Sequence, residues 1–197
     1  MAKLHEVKQH LEPGQVYRRS DLEQWSNAVD RHLKQLQEDG TLTKLSNGLY
    51  YCPKETVFGN APAEDERLVA AFLKDDRFLI HSPNAYNSLG LGMTQLYNET
   101  VVYNHKRHGR FELGGRFFTF RMKPHFPKSL NEAFLLVDLV NNLQYIAEDR
   151  TTLLERIKRK VLSMDVSIFM QSVKEYGGLK ARKFFLEILG DTTRYAS

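Results

Sequence analysis

Cysteine and tryptophan each occur once in the 197 residues, and proline six times. A lone Cys52 excludes an intrachain disulfide and any zinc site built on several thiolates. Long apolar runs are missing as well. The longest, residues 134–140, is interrupted by Asp138 and falls far short of the roughly 20 residues needed to cross a bilayer. Met1-Ala2-Lys3-Leu4-His5-Glu6 is not followed by an apolar core or a cleavage site, so no secretion signal is expected. There is no internal repeat and no low-complexity segment. With 42% hydrophobic and 26% charged residues, the composition excludes disordered and fibrous classes. The chain is expected to be soluble and cytoplasmic, with no membrane partner.

A strong charge of one sign is also absent. The 28 basic and 24 acidic residues leave +4, with a pI near 9.1. That balance is uneven along the chain. Residues 1–55 carry eight of each sign and sum to zero, whereas residues 56–100 carry three basic and six acidic. Residues 101–149 carry seven basic and five acidic, and residues 150–197 carry ten and five. The excess belongs to the second half. Any nucleic-acid contact by the N-terminal segment therefore rests on the placement of its charges, not on their sum.

What is present is a readable order of elements. Leu4, Val7 and Leu11 recur at helical spacing until Pro13-Gly14. Ser20 followed by Glu23 has the pattern of a capping box heading a short helix. Ser26 is placed to cap a longer helix reaching about Asp39, with Val29, Leu33 and Leu36 on one face and Gly40 as its left-handed end. Asn47-Gly48 then joins two β-prone runs, the strongest short-range hairpin signal. Helix, short helix, turn, longer helix and hairpin within about 54 residues predict a winged helix-turn-helix. Residues 55–63, with Gly59, Asn60 and Pro62, are expected as a linker. Residues 64–197 are expected as a mixed α/β domain with a small sheet and a helical C-terminal portion. Its elements are a helix over 64–73, strands at 78–81, 100–103, 110–113 and 116–122, a short helix over 83–89 and a strong helix over 129–147. Three basic amphipathic helices over 150–190 complete it. The fold class is α+β.

On the longer N-terminal helix, the side away from Val29, Leu33 and Leu36 holds Asn27, Arg31, Lys34, Gln35 and Glu38. Asn and Gln form bidentate bonds to adenine and Arg to guanine, so these are candidate base-reading residues. Ser26 and the free N–H groups of the first turn suit a phosphate. Arg18 and Arg19 before the short helix, and Lys44 and Asn47 in the hairpin, are candidate backbone clamps. A second basic cluster holds Lys106, Arg107, Arg110, Arg116, Arg121 and Lys123, and a third Lys158, Arg159 and Lys160. Both are candidate surfaces for nucleic acid or a partner. His105, His108 and His125 lie among these cations, which disfavour a divalent ion, and no metal site is expected. Gly90-Leu91-Gly92 lacks the third glycine of a dinucleotide loop and reads as a helix cap. No nucleophile or acid/base pair is recognisable, so neither a catalytic residue nor a cofactor is expected.

Several of these stretches, taken together, resemble a known family. Val16-Tyr17-Arg18-Arg19-Ser20-Asp21-Leu22, the run Val29 to Leu36, Asp39-Gly40, and Gly48-Leu49-Tyr50-Tyr51 with Pro53-Lys54 are similar to AbiEi-type antitoxins of bacterial type IV toxin–antitoxin, or abortive-infection, systems. Ile80-His81, Asn84-Ala85, Leu89-Gly90-Leu91 and Leu113-Gly114-Gly115-Arg116 resemble the second domain of that family. The likeness covers about residues 10–145. It implies a winged helix that binds operator repeats upstream of its own operon. It also implies a C-terminal domain that counteracts a nucleotidyltransferase-like toxin without requiring a stable complex. Asn27, Arg31, Lys34 and the hairpin around Asn47 inherit the DNA role.

The sequence therefore reads as a DNA-binding transcriptional repressor and antitoxin rather than an enzyme. The rival reading is an RNA- or protein-binding module that uses its basic C-terminal half.

Overall fold

Apolar residues at helical spacing fold the start of the chain, in a computed structural model, into α1 (Ala2–Gln9), α2 (Arg19–Leu22) and α3 (Val29–Glu38). Val7, Leu22, Val29, Leu33 and Leu36 meet in one core with Leu42, Tyr50 and Cys52. The structure describes residues 2–195, with side chains described for residues 3–190. Strand β1 (Val16–Arg18) pairs antiparallel with β3 (Leu49–Tyr51), and β2 (Thr43–Ser46) pairs with β3 on its other side. Strand β1 has no counterpart in the sequence-based expectation, because its three residues show too short an alternation. The β2–β3 turn is at Asn47-Gly48, where Gly48 takes φ +74°.

Beyond Pro53 the expected linker is itself structured. Strands β4 (Lys54–Thr56) and β5 (Gly59–Ala61) form a hairpin with Val57 and Phe58 at its tip, 94% and 98% exposed. The Tyr51 hydroxyl donates to the Ala61 carbonyl at 2.8 Å and ties this hairpin to β3.

The chain divides into two compact units, each assembled from separate stretches of sequence. The first contains residues 1–78 and 106–121. Besides the elements above it holds α4 (Asp65–Leu73), and β8 (Gly109–Leu113) paired with β9 (Arg116–Met122) as far as residue 121. Gly114 and Gly115, at φ +58° and +75°, supply the positive φ values that this tight turn needs. Phe72 packs on Phe111 and Phe120, joining α4 to the hairpin.

The second unit contains residues 79–105 and 122–197. Strands β6 (Phe78–His81) and β7 (Thr100–Asn104) lie side by side, and a 3-10 helix spans Pro83–Leu89. Four helices follow: α5 (Glu132–Asn141), α6 (Arg150–Leu162), α7 (Val166–Tyr176) and α8 (Leu179–Tyr195). The expected helix over 129–147 is shorter than predicted. Asn131 caps its start by accepting from the Phe134 N–H at 2.9 Å, and the chain tightens into a 3-10 turn over Leu143–Tyr145. The molecule is a mixed α+β protein.

Helix α5 is buried from Ala133 to Val140, including Asp138 at 0% exposure. That carboxylate accepts from the hydroxyls of Tyr86 (2.7 Å) and Tyr103 (2.8 and 2.9 Å) and from Lys123 Nζ (3.0 Å). Asn142 Nδ2 donates to the Tyr103 hydroxyl at 3.2 Å and to the Asp138 carbonyl at 2.8 Å. Burial, followed by the neighbouring Asp138 charge, pushes the Tyr86 phenol well above its ordinary pKa. Asp138→Ala would strand an ammonium and two hydroxyls. It is expected to cost about 3 kcal/mol, the lower end for a broken buried pair, because Lys123 keeps some exposure to water. Urea unfolding of the whole chain measures this, and an unchanged midpoint would show the network to be dispensable.

Candidate nucleic-acid interface

Helix α3 separates its residues cleanly. Val29, His32, Leu33 and Leu36 are buried, while Asn27 just before it and Arg31, Lys34, Gln35 and Glu38 on it are exposed. Gly40 at φ +76° follows its end. There the Asp39 carboxylate accepts from Lys8 Nζ at 2.6 Å and from the Thr41 N–H at 3.0 Å. Desolvation alone would raise the Asp39 pKa, but the Lys8 and Thr41 bonds hold it down at about 2.

The start of α3 corrects one expectation. Ser26 is 7% exposed and sits inside the protein, not against a phosphate. Its Oγ lies 2.7 Å from His32 Nδ1 and accepts from the Ala28 N–H at 3.1 Å, so Ala28 occupies the cap position. The reason is His32, whose side chain reaches back one turn and needs a polar partner in the core. The capping box at α2 also lies earlier than expected. Asp21 accepts from the Arg18 N–H at 2.9 Å, while Glu23 binds the Arg19 guanidinium.

Arg18 and Arg19 are held by carboxylates of their own chain. Arg18 Nε lies 3.1 Å from Asp21. Arg19 grips Asp30 with Nε at 2.7 Å and Nη2 at 2.8 Å, a two-pronged bond that links α2 to the first turn of α3. The hydrogen bond to Asp30 raises the Arg19 pKa further and lowers that of Asp30. By contrast, the side chains of Asn27, Arg31, Gln35, Lys44 and Asn47 are exposed and make no hydrogen bond or ion pair among the described residues. Lys34 has only a loose contact with Glu38, 3.9 Å away on the same exposed face.

Several residues of the second basic cluster are engaged within the protein. Lys106 donates to the Lys74 carbonyl at 2.6 Å and pairs with Asp75 at 3.2 Å, closing the C-terminal end of α4. Arg116 binds the Asp65 carboxylate. Lys123 is committed to Asp138 and also lies 4.0 Å from the centre of the Tyr103 ring. Arg110 covers Phe117 at 4.3 Å, and Arg121 is half-buried. In α6, Lys158 and Arg159 are exposed, while Lys160 pairs with Glu132 at 2.7 Å. These partners are distant in sequence, which is why the local pattern hid them.

Arg107 stands differently. Its guanidinium lies 4.5 Å from the centre of the Phe72 ring and lines a cleft of about 660 Å³ together with Arg18, Arg19, Asn47 and Lys74. One residue of the second cluster is thus brought beside the β2–β3 turn. Lys74, at φ +53°, carried no sequence signal.

His105 stacks on Phe126, with ring centres 4.7 Å apart. Among the described residues, no three His, Cys, Asp or Glu side chains stand close enough to hold a metal ion. No helix of these residues is long and apolar enough to cross a membrane.

Burial, with a smaller effect of Arg31, lowers the His32 pKa. The unfolded chain takes up this proton near pH 6.5, and the folded chain only at lower pH. The unfolded state therefore binds more protons once the pH falls below that value, and stability drops with it. His32→Asn is expected to flatten the dependence of the urea midpoint between pH 7.5 and 5.5. An equally steep profile in the variant would exclude His32 as its source.

No protein-family model and no curated protein matches the chain. Among solved structures, it is similar to the crystal structure of the RV2827C protein from Mycobacterium tuberculosis. The sequence identity is 14% and the TM-score 0.56, over 95% of this chain and 74% of that one. At that identity the likeness is one of fold.

Proposed function

We propose that the chain is a DNA-binding transcriptional repressor in which residues 1–54 act as a winged helix-turn-helix. One observation carries this reading. Asn27, Arg31, Lys34 and Gln35 are exposed along one side of α3, whose other side is packed into the core, and the exposed Lys44 and Asn47 belong to the same compact unit. Helix α3 enters a major groove, where Asn27 and Gln35 suit adenine and Arg31 suits guanine. Lys34, Lys44 and Asn47 meet phosphates. Arg107 extends the cationic edge through the cleft it shares with Asn47. Arg18 and Arg19 act by position: Arg18 pairs with Asp21 at the start of α2, and Arg19 ties α2 to α3 through Asp30.

The rival basic-module reading has less support. Lys106, Arg116, Lys123 and Lys160 are engaged in ion pairs within the protein. The antitoxin role rests on the sequence resemblance to AbiEi-type proteins. In that role the chain represses its own operon through operator repeats and counteracts a nucleotidyltransferase-like toxin.

Arg31→Ala combined with Lys34→Ala is expected to weaken binding to DNA from upstream of the chain's own gene. It should also flatten the log–log salt dependence by about one for each phosphate no longer neutralised. Gel shifts over a salt series read both effects, and an unchanged series would refute the assignment of α3. The antitoxin half makes a separate prediction. A nucleotidyltransferase-like reading frame beside the gene should arrest growth when expressed alone and not when this chain is co-expressed. Arrest despite co-expression would leave a repressor without that role.

A further inference from the structure

We propose that a groove in the second unit, bounded by the end of α5, the 3-10 turn after it, α6 and α8, docks an acidic amphipathic helix of a protein partner. The groove has a volume of about 250 Å³. Val140, Leu143, Leu154 and Phe184 give it an apolar floor, and Arg150 and Lys180 are its charged lining residues. Among the described residues no carboxylate lines it. Both cations are exposed, and among the described residues neither forms an ion pair or a side-chain hydrogen bond.

Several other cations of α6 and α8 are occupied. Arg156 donates to the Leu91 carbonyl at 2.8 Å, Lys160 pairs with Glu132, Arg182 donates to the Lys174 carbonyl at 2.6 Å, and Lys183 lies 3.9 Å from Glu187. Lys158 and Arg159 are exposed and, among the described residues, unpaired as well, but it is Arg150 and Lys180 that border the apolar floor, where they can meet an outside anion. Lys180 and Phe184, four residues apart, lie on one side of α8.

Size and charge together select the occupant. The groove is smaller than the roughly 300–1,000 Å³ usual for small-molecule sites. A helix laid in a groove presents its apolar anchors on one face, which suits an apolar floor shared by α5, the 3-10 turn, α6 and α8. Two cations with no facing anion attract carboxylates on the rim of such a helix and repel a basic one.

The test uses the full chain and two fluorescein-labelled 18-residue peptides. Each carries leucines at i, i+3, i+4 and i+7, and they differ only in having glutamate or lysine on the flanks. Fluorescence anisotropy is expected to show the glutamate peptide binding at least about tenfold more tightly, with affinity falling as salt rises. Arg150→Glu with Lys180→Glu should reverse that preference. Replacing the peptide's leucines by glutamine should abolish binding. Absence of binding to the unaltered chain, or equal affinity of the glutamate peptide for the double variant, would overturn the proposal. So would a dimer, seen by sedimentation, that the double variant dissolves, because the occupant would then be a second copy. The same variant should shift DNA as the unaltered chain does, which keeps this test separate from that of α3. Loss of the DNA shift would assign the groove to nucleic acid and overturn the protein-docking reading.

Discussion

A carboxylate inside an apolar core has to be compensated on every side, and in the second unit Asp138 sets that requirement. Its partners come from the 3-10 helix (Tyr86), β7 (Tyr103) and the segment after β9 (Lys123). The orientation of α5 is thereby fixed by directional bonds as well as by the packing of Leu136, Val137 and Leu139. Asn142 joins the network from one turn farther along, just where the helix gives way to the 3-10 turn. Leu143 and Val140 are consequently left at the wall of the groove next to α6 and α8. An isosteric apolar residue in place of Asp138 would pack well but would not choose among orientations in this way.

The first unit spends its polar groups differently. Arg18, Arg19 and Lys8 neutralise Asp21, Asp30 and Asp39 around the helices. Among the described residues, several exposed side chains on and beside α3 and in the β2–β3 hairpin make no such pairing. On the reading proposed above, a surface with little net charge would gain little from counterion release, and discrimination would rest on base contacts made by a few residues.

Local chemistry made much of this legible. The glycines after α3 and in the two tight turns have the positive φ that their sequence contexts demanded, and the apolar stripe of α3 is its buried side. Asp138 stood out as a break in an apolar run, but its partners are 15 to 52 residues away and no periodicity points to them. Distance in sequence likewise hid the roles of Lys106, Arg116 and Lys160. Ser26 misled for another reason. A serine before a helix is a good cap in isolation, and only the buried imidazole of His32 claims its hydroxyl. At the candidate interface, therefore, the exposed residues of α3 could be found from spacing alone, whereas the place of Arg107 beside Asn47 could not.

The first unit is built from residues 1–78 and 106–121, with 27 residues of the second unit between them, from 79 to 105. On a ribosome adding about 5–20 residues each second, the hairpin that completes this unit emerges some 2–9 s after residue 78. During that interval the nascent chain holds α4 with Phe72 lacking the two phenylalanines it later packs against. A shortened gene ending near residue 78 would make that waiting state permanent. The segment that bears α3 is contiguous, but the unit that supports it is not, and its completion is timed by translation.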